Sequence, residues 1–233
     1  MNEATKSKAY WGELEWSVLR GEGIDIGCGP DPVIPNVQRF DLEQGDANHP
    51  SQYLNNKKFD FVFSSHCLEH MHDPAITLQD WYSMVKPGGF LFFIVPDEDL
   101  YEQGVFPSRF NTDHKATFTI SKVRSWSPRS YNVFDLAKSL PESKILKLAL
   151  NDIGYDRRVA SFGNVNAPIL KKMISIYRRF SPVRLNVFEK MQSTVYGFDQ
   201  TRGGTVSAQI ECIVKKLQLE PLPMLFSQVP FAS

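Results

Sequence analysis

The chain has 233 residues, 42% of them hydrophobic and 22% charged, which places it within the range of one well-cored globular domain. Lys plus Arg and Asp plus Glu both number 26, so the formal charge is zero and the composition argues against a dedicated binder of nucleic acid or of an anionic membrane. No apolar run approaches the roughly 18 to 20 residues that cross a bilayer, residues 1–10 are unlike a signal peptide, and three separated cysteines (Cys28, Cys67, Cys212) give neither a disulfide framework nor a thiolate zinc site, so a cytoplasmic, reducing setting is expected.

In chain order, Tyr10, Trp11, Leu14 and Val18 recur at helical spacing and predict an amphipathic helix over residues 7–20. A short strand at 23–26 runs straight into a turn-rich stretch at 27–32. Residues 37–40 read as a second strand ending at Asp41, and 59–64 (FDFVFS) as the apolar type of strand buried in a parallel sheet. Helical spacing returns over 75–85 and stops at the breaker cluster Lys86-Pro87-Gly88-Gly89, after which 90–95 (FLFFIV) is the strongest strand of the chain. Strand, helix, turn and strand in that order form a βαβ unit, and hence a parallel sheet. Beyond it, a helix is expected over 128–140, started by Ser127 and Pro128. Residues 143–150 fit helix or strand; strand is chosen because 208–215 is plainly a strand and needs a neighbour. A basic amphipathic helix at 167–180, with Lys171, Lys172, Arg178 and Arg179 on a solvated face, and a polar loop at 200–205 complete the reading.

The loop Asp25-Ile26-Gly27-Cys28-Gly29-Pro30 is the first informative feature, since glycines after a strand let backbone approach a ligand closely. A dinucleotide fold wants a third glycine and a crossover helix, whereas Pro32 and about ten residues before the next acidic strand end leave little room for one. Asp41 stands where a carboxylate can accept both hydroxyls of a ribose. Gly45-Asp46-Ala47-Asn48 and Ser64-Ser65-His66 follow in order along the carboxyl edge of the sheet. One such feature is common by chance; four in order are not.

With GIDIGCGP, FDLE, GDAN, SSHCLEHMHDP and VKPGGFLFFIVP in sequence, the chain resembles a class I S-adenosylmethionine-dependent methyltransferase. Together with VPDEDLYEQG and AQIECIVKK, the set is similar to a narrower bacterial group often encoded near surface-polysaccharide genes. The resemblance implies an α/β, Rossmann-like sheet of seven strands, mostly parallel with an antiparallel last strand, helices on both faces and a shortened first crossover. It implies one methyltransferase domain over 1–233, with a cofactor-binding half at 1–96 and an acceptor-side half at 97–233 that carries an insertion at about 155–205. S-adenosylmethionine is the implied cofactor. Asp25 would organise the loop and meet the methionine ammonium, Gly27 and Gly29 would lie against the cofactor, and Asp41 would hold the ribose. Asp46 would take the adenine amino group, Ala47 the ring, and Ser65 the aminoacyl end, while Cys28 only packs.

Two further clusters bear on chemistry. His66-Cys67-Leu68-Glu69-His70 matches the H-x-x-E-H pattern of inverted zinc proteases. It begins at a strand end instead of lying within a helix, so no metal is expected; Glu69 and His70 read as supporting residues and His66 as nearer cofactor and acceptor. The long connection after the fifth strand of the implied order carries His114 beside Asp113, and a histidine titrates where a hydroxyl proton must be taken near pH 7. His114 is therefore the first candidate base, with Asp97 and His66 after it; Trp126 is the one tryptophan placed to stack on a sugar ring. The expected reaction is methyl transfer to a hydroxyl oxygen of a sugar or glycan, or of another small molecule, with no nucleic acid or membrane span among its partners. A reading from a different class is a methyltransferase-fold protein that binds cofactor or a protein partner without turnover.

Overall fold

The computed structural model describes residues 3–120, 122–157 and 199–218. The expected basic helix at 167–180 lies outside them, as does most of the expected insertion.

Two short helices open the chain, α1 (Glu3–Lys8) and α2 (Glu13–Val18), where one continuous helix over 7–20 was expected. The break follows from Gly12, whose backbone N–H donates to Glu15 Oε2 at 2.8 Å and so starts a new helix. The break also lets Trp11 turn inward, where its ring lies 5.1 Å from Phe92 and 5.9 Å from Phe63. Next come β1 (Gly23–Ile26), β2 (Gln38–Phe40), α3 (Pro50–Tyr53), β3 (Phe59–Ser65), α4 (Pro74–Ser83) and β4 (Val85–Pro96). No helix joins β1 to β2, in agreement with the shortened first crossover. α4 starts where Asp73 accepts from Ala75 N and Ile76 N at 3.0 and 3.2 Å, with Pro74 at the first helical position.

Lys86-Pro87-Gly88-Gly89, expected to end the helix and precede the strand, lies inside β4 as a bulge. Phe59 pairs with Val85 and Phe61 with Phe90, so these four residues stand opposite Asp60 alone. A side chain at Gly89 would come within 2.5 Å of the Asp60 carbonyl, which is why glycine is needed at that crossing.

After β4 come β5 (Thr117–Thr119), β6 (Ser130–Asn132), α5 (Val133–Lys138), β7 (Ser143–Asn151) and β8 (Gln209–Lys216). The helix expected over 128–140 is thus cut to its second half. Asn132 caps it, accepting from Phe134 N at 2.9 Å, while the three residues from Ser130 pair in parallel with β5. Buried Glu98 holds this region together, accepting from Thr117 Oγ1, Ser125 Oγ, Ser130 Oγ and Lys122 Nζ at 2.6 to 3.0 Å.

The main sheet has six strands among the described residues, in the order β2-β1-β3-β4-β8-β7, against the seven implied. β2, β1, β3 and β4 are parallel, and β8 runs antiparallel between β4 and β7. Alternation along the strands sends Phe61, Phe63, Phe92 and Ile94 to a core with Trp11, Val18 and Val33, and Val62, Leu91, Phe93 and Val95 to one with Trp81, Tyr82 and Leu136. Helices therefore cover both faces. Gly23 packs under the Phe61 ring, where an added Cβ would lie 1.9 Å from Cζ. Gly23→Ala is expected to cost about 1 to 3 kcal/mol in urea unfolding, the usual scale for overpacking; an unchanged midpoint would show that the ring can move aside.

Candidate active site

The chain leaves β1 in opposite directions, toward β2 on one side and toward β3 on the other. Such a reversal opens a crevice at the carboxyl ends of the strands. A cavity of about 280 Å³ lies there, with Asp25, Gly27 and Gly29 from β1 and its loop, Ser65, His66, Glu69 and His70 from the end of β3, and Tyr101, Asn111 and His114 from the connection after β4. Glu3 and Ala4 of α1 and residues 206–209 leading into β8 close the remaining wall.

The glycine loop is held by Gly27 N, which donates to Phe40 O at 2.8 Å. Gly27 has φ of 74°, and a Cβ there would sit 2.6 Å from Cys67 Sγ, so its lack of a side chain serves close packing on the β3 turn. Gly29, with φ of 50°, has nothing within 4 Å of a would-be Cβ and is the open glycine of the pair. Its N–H donates to Asp41 Oδ2 at 2.7 Å, which fixes Asp41 at the rim of the loop.

Asp25 is 1% exposed, and its Oδ2 accepts from Val33 N at 2.7 Å. Burial pushes its pKa up to about 7. Ser65 Oγ on the same wall is buried without a hydrogen-bond partner. A desolvated carboxylate that gains from a cation, an unpartnered hydroxyl and an open glycine fit the amino-acid end of S-adenosylmethionine, which brings an ammonium and a carboxylate. Asp41, Asp46 and Ala47 are not part of the cavity wall. Asp46 Oδ1 accepts from Asn48 N and Nδ2 at 2.8 and 2.7 Å, and Ala47 O accepts from Trp81 Nε1 at 2.8 Å, so α4 secures that turn beside the sheet edge.

The three candidate bases fare differently. Asp97 caps the turn after β4, its Oδ1 accepting from Asp99 N and Leu100 N at 3.0 Å each, and it is absent from the cavity wall. Burial raises its pKa to about 6, and the geometry gives it a capping role. His66 lies on the wall with φ of 53°, the left-handed region that non-glycine residues seldom enter. Its Nε2 donates to Gln209 Oε1 at 3.1 Å and its Nδ1 is 3.4 Å from Glu69 Oε1. Burial alone would lower its pKa, but Glu69 and Glu3 outweigh that and raise it to about 9. His66 is therefore an imidazolium near neutral pH, with no lone pair to offer as a base.

His114 is 5% exposed and stacks on Tyr101 at 5.3 Å between ring centres. Its Nδ1 donates to buried Glu102 Oε1 at 2.6 Å, which leaves Nε2, 3.9 Å from Glu69 Oε1. Asp113, its sequence neighbour and expected partner, pairs instead with His70 Nδ1 at 2.8 Å. The His114 segment is locked to the β3 turn by Lys115 N and Ala116 N, which donate to Glu69 O at 2.7 and 3.2 Å. Glu102 lies in VPDEDLYEQG and Gln209 in AQIECIVKK, but no role attaches to either in the sequence; only the fold brings them to His114 and His66. Trp126, the expected sugar platform, is also outside the cavity wall, its Nε1 donating to Asp99 Oδ1 at 3.0 Å.

No described helix is long and apolar enough to cross a membrane. Among relatives, a ubiquinone biosynthesis O-methyltransferase from Colwellia psychrerythraea is 33% identical over 81 residues, a match that covers 30% of this chain and 30% of that protein. Among solved structures, a SAM dependent methyltransferase from Archaeoglobus fulgidus is 14% identical with a TM-score of 0.44, covering 93% of this chain and 95% of that one. A candidate sarcosine dimethylglycine methyltransferase from Galdieria sulphuraria is 13% identical with a TM-score of 0.49, covering 94% and 85%. The methyltransferase domain family model matches residues 13–156, which takes in the glycine loop, the β3 turn and His114. The chain belongs to that methyltransferase domain family, and S-adenosylmethionine is its cofactor.

Proposed function

We propose that the chain methylates a hydroxyl oxygen of a small-molecule or glycan acceptor, with sugar hydroxyls the favoured class. The observation that carries this reading is His114 on the wall of the cavity that the glycine loop also lines, its Nδ1 held by buried Glu102. A hydroxyl is a poor nucleophile until its proton is removed, and a histidine oriented by a carboxylate through Nδ1 is built to take that proton at Nε2. Oxygen as the methylated atom is further supported by the O-methyltransferase name of the Colwellia relative. The surface-polysaccharide setting implied by the motif set makes nucleotide sugars and lipid-linked glycans the first acceptors to test.

When bound, the cofactor supplies a sulfonium methyl as electrophile. Asp25 and Ser65 would hold the aminoacyl end, open Gly29 with Gly27 packed behind it would let the loop lie close, and Asp41 would take the ribose hydroxyls. Asp46 and Ala47, on the turn beside the sheet edge, would meet the adenine. His114 Nε2 would take the proton of the acceptor hydroxyl, and Glu102 would stabilise the imidazolium formed. Protonated His66 stays a fixed cation that balances Glu69. Most of the acceleration then comes from orientation, with one base added.

Asp41→Ala is expected to weaken S-adenosylhomocysteine binding by about 1 to 3 kcal/mol, the scale for hydrogen bonds to a charged acceptor. Calorimetry checks it; unchanged affinity would remove Asp41 from the ribose site. The acceptor is tested by incubating pure protein with methyl-labelled cofactor and panels of nucleotide sugars, lipid-linked glycans, phenols and amines. Label in a sugar ether supports the reading, whereas label only in amines, or in nothing, overturns it.

A further inference from the structure

We propose that Glu69, His70 and His114 form a binding site for one divalent transition-metal ion on the wall of the cofactor cavity. One carboxylate oxygen and one ring nitrogen of each histidine lie within 4.8 Å of one another. Ligand atoms around a tetrahedral zinc ion stand about 3.4 Å apart, given bonds of about 2.0 to 2.2 Å, and His114 Nε2 is already 3.9 Å from Glu69 Oε1.

A second observation points to a ligand independently. Glu69 is fully buried, its Oε2 accepts no hydrogen bond, and its Oε1 has the longer contacts to His66 Nδ1 at 3.4 Å and His114 Nε2 at 3.9 Å. A buried carboxylate oxygen left like Oε2 is costly to fold unless a cation or donor meets it. A third lies behind the histidines: His114 Nδ1 is anchored on Glu102 at 2.6 Å and His70 Nδ1 on Asp113 at 2.8 Å. Carboxylates behind two histidines fix the tautomers so that both Nε2 atoms are free to ligate, the usual support of metal-bearing imidazoles. The scaffold is also set in advance, because Lys115 N and Ala116 N bind Glu69 O, and Lys115 Nζ binds His70 O at 2.7 Å. Two imidazoles with one carboxylate select zinc, cobalt or iron over magnesium or calcium, which favour all-oxygen sets.

The expectation of a metal-free chain rested on the H-x-x-E-H match beginning at a strand end. The fold adds His114, brought in from the next connection, in place of the first histidine, whose Nε2 is engaged by Gln209 and whose Nδ1 lies 3.4 Å from Glu69 Oε1. This inference rests on the methyl-transfer reading only for its consequence. His114 Nε2 serves as the base in the metal-free chain, and an ion bound there would occupy that nitrogen and stop it from taking the acceptor's proton.

The test uses untagged full-length protein, stripped with chelator and titrated with Co²⁺ in the absence of cofactor and acceptor. One equivalent of Co²⁺ with visible d–d absorption is expected, displaced by Zn²⁺ and not by equal Mg²⁺. Glu69→Gln and His70→Ala should each weaken Co²⁺ binding about 100-fold or more, and Glu102→Gln by about 10- to 100-fold, with circular dichroism confirming that each variant folds. Half-exposed His70 is the safer substitution. Absence of the Co²⁺ spectrum at millimolar metal, or binding that survives both Glu69→Gln and His70→Ala, overturns the site. Methyl transfer in chelator alongside that absence overturns the metal alone; metal binding with no transfer to any acceptor by the chelator-stripped protein overturns the methyl-transfer reading alone.

Discussion

His114→Ala lowers kcat on the true acceptor by roughly 100-fold or more, with S-adenosylhomocysteine affinity nearly unchanged. General-base contributions run about 10² to 10⁴, and of the three candidate bases His114 alone is on the cavity wall with a ring nitrogen left over after its protein contacts. His66 has both nitrogens engaged and is protonated near neutrality, and Asp97 caps a turn outside the wall. Glu102→Gln should fall between wild type and His114→Ala, because it keeps a hydrogen-bond acceptor but removes the charge that stabilises the imidazolium. Steady-state kinetics with calorimetry on the same variants checks both. Activity within a few-fold of wild type in His114→Ala would move the base elsewhere, and lost cofactor binding would mean that the connection shapes the cofactor pocket.

Asp25→Asn moves stability and binding in opposite directions. Burial raises Asp25 to about 7 in the folded chain, against about 3.9 when unfolded. The folded state thus holds the proton more tightly, and stability is lost as pH rises from about 4 through about 7. Asparagine removes that loss: the ligand-free variant should melt higher than wild type at pH 8 and together with it near pH 4. Binding goes the other way, because the cofactor ammonium loses a buried carboxylate, and removing one partner of a buried pair costs about 3 to 5 kcal/mol. S-adenosylhomocysteine affinity should fall by about 100-fold or more. A variant that binds as tightly as wild type would place the ammonium elsewhere, and one that melts lower at pH 8 would show that the Asp25 charge has a compensating partner.

The sheet was legible because its strands announce themselves: FDFVFS and FLFFIV are apolar on both faces, as buried parallel strands must be, and AQIECIVK needs a neighbour that ILKLAL supplies. The glycine loop was legible for the same local reason. Its two glycines proved to have different duties, since Gly27 clears Cys67 and only Gly29 is open. What failed were features set by tertiary partners. Lys86-Pro87-Gly88-Gly89 reads as a stop in any local window, yet pairing on both flanks turns it into a bulge within β4. Residues 130–132 carry no strand pattern and become one because Glu98 and β5 are there to hold them.

The candidate site divides along the same line. Asp25, Ser65, His66 and His114 were named from order along the chain, and the fold gathers all four on one cavity. Glu102 and Gln209 were not legible as partners, because they reach His114 and His66 across separate elements, whereas Glu69, three residues from His66, was read as a supporting residue. Asp113 was the natural guess for His114 from adjacency, and the turn at Asn111, whose O accepts from His114 N at 3.1 Å, sends the two side chains to different partners.

The central claim is that the crevice between β1 and β3 is an S-adenosylmethionine site, and isothermal titration with S-adenosylhomocysteine at pH 7.5 tests it most directly. One binding event per chain is predicted, weakened in both Asp25→Asn and Asp41→Ala, with NAD binding more weakly or not at all. No measurable heat with S-adenosylhomocysteine, or tighter binding of NAD, would contradict it.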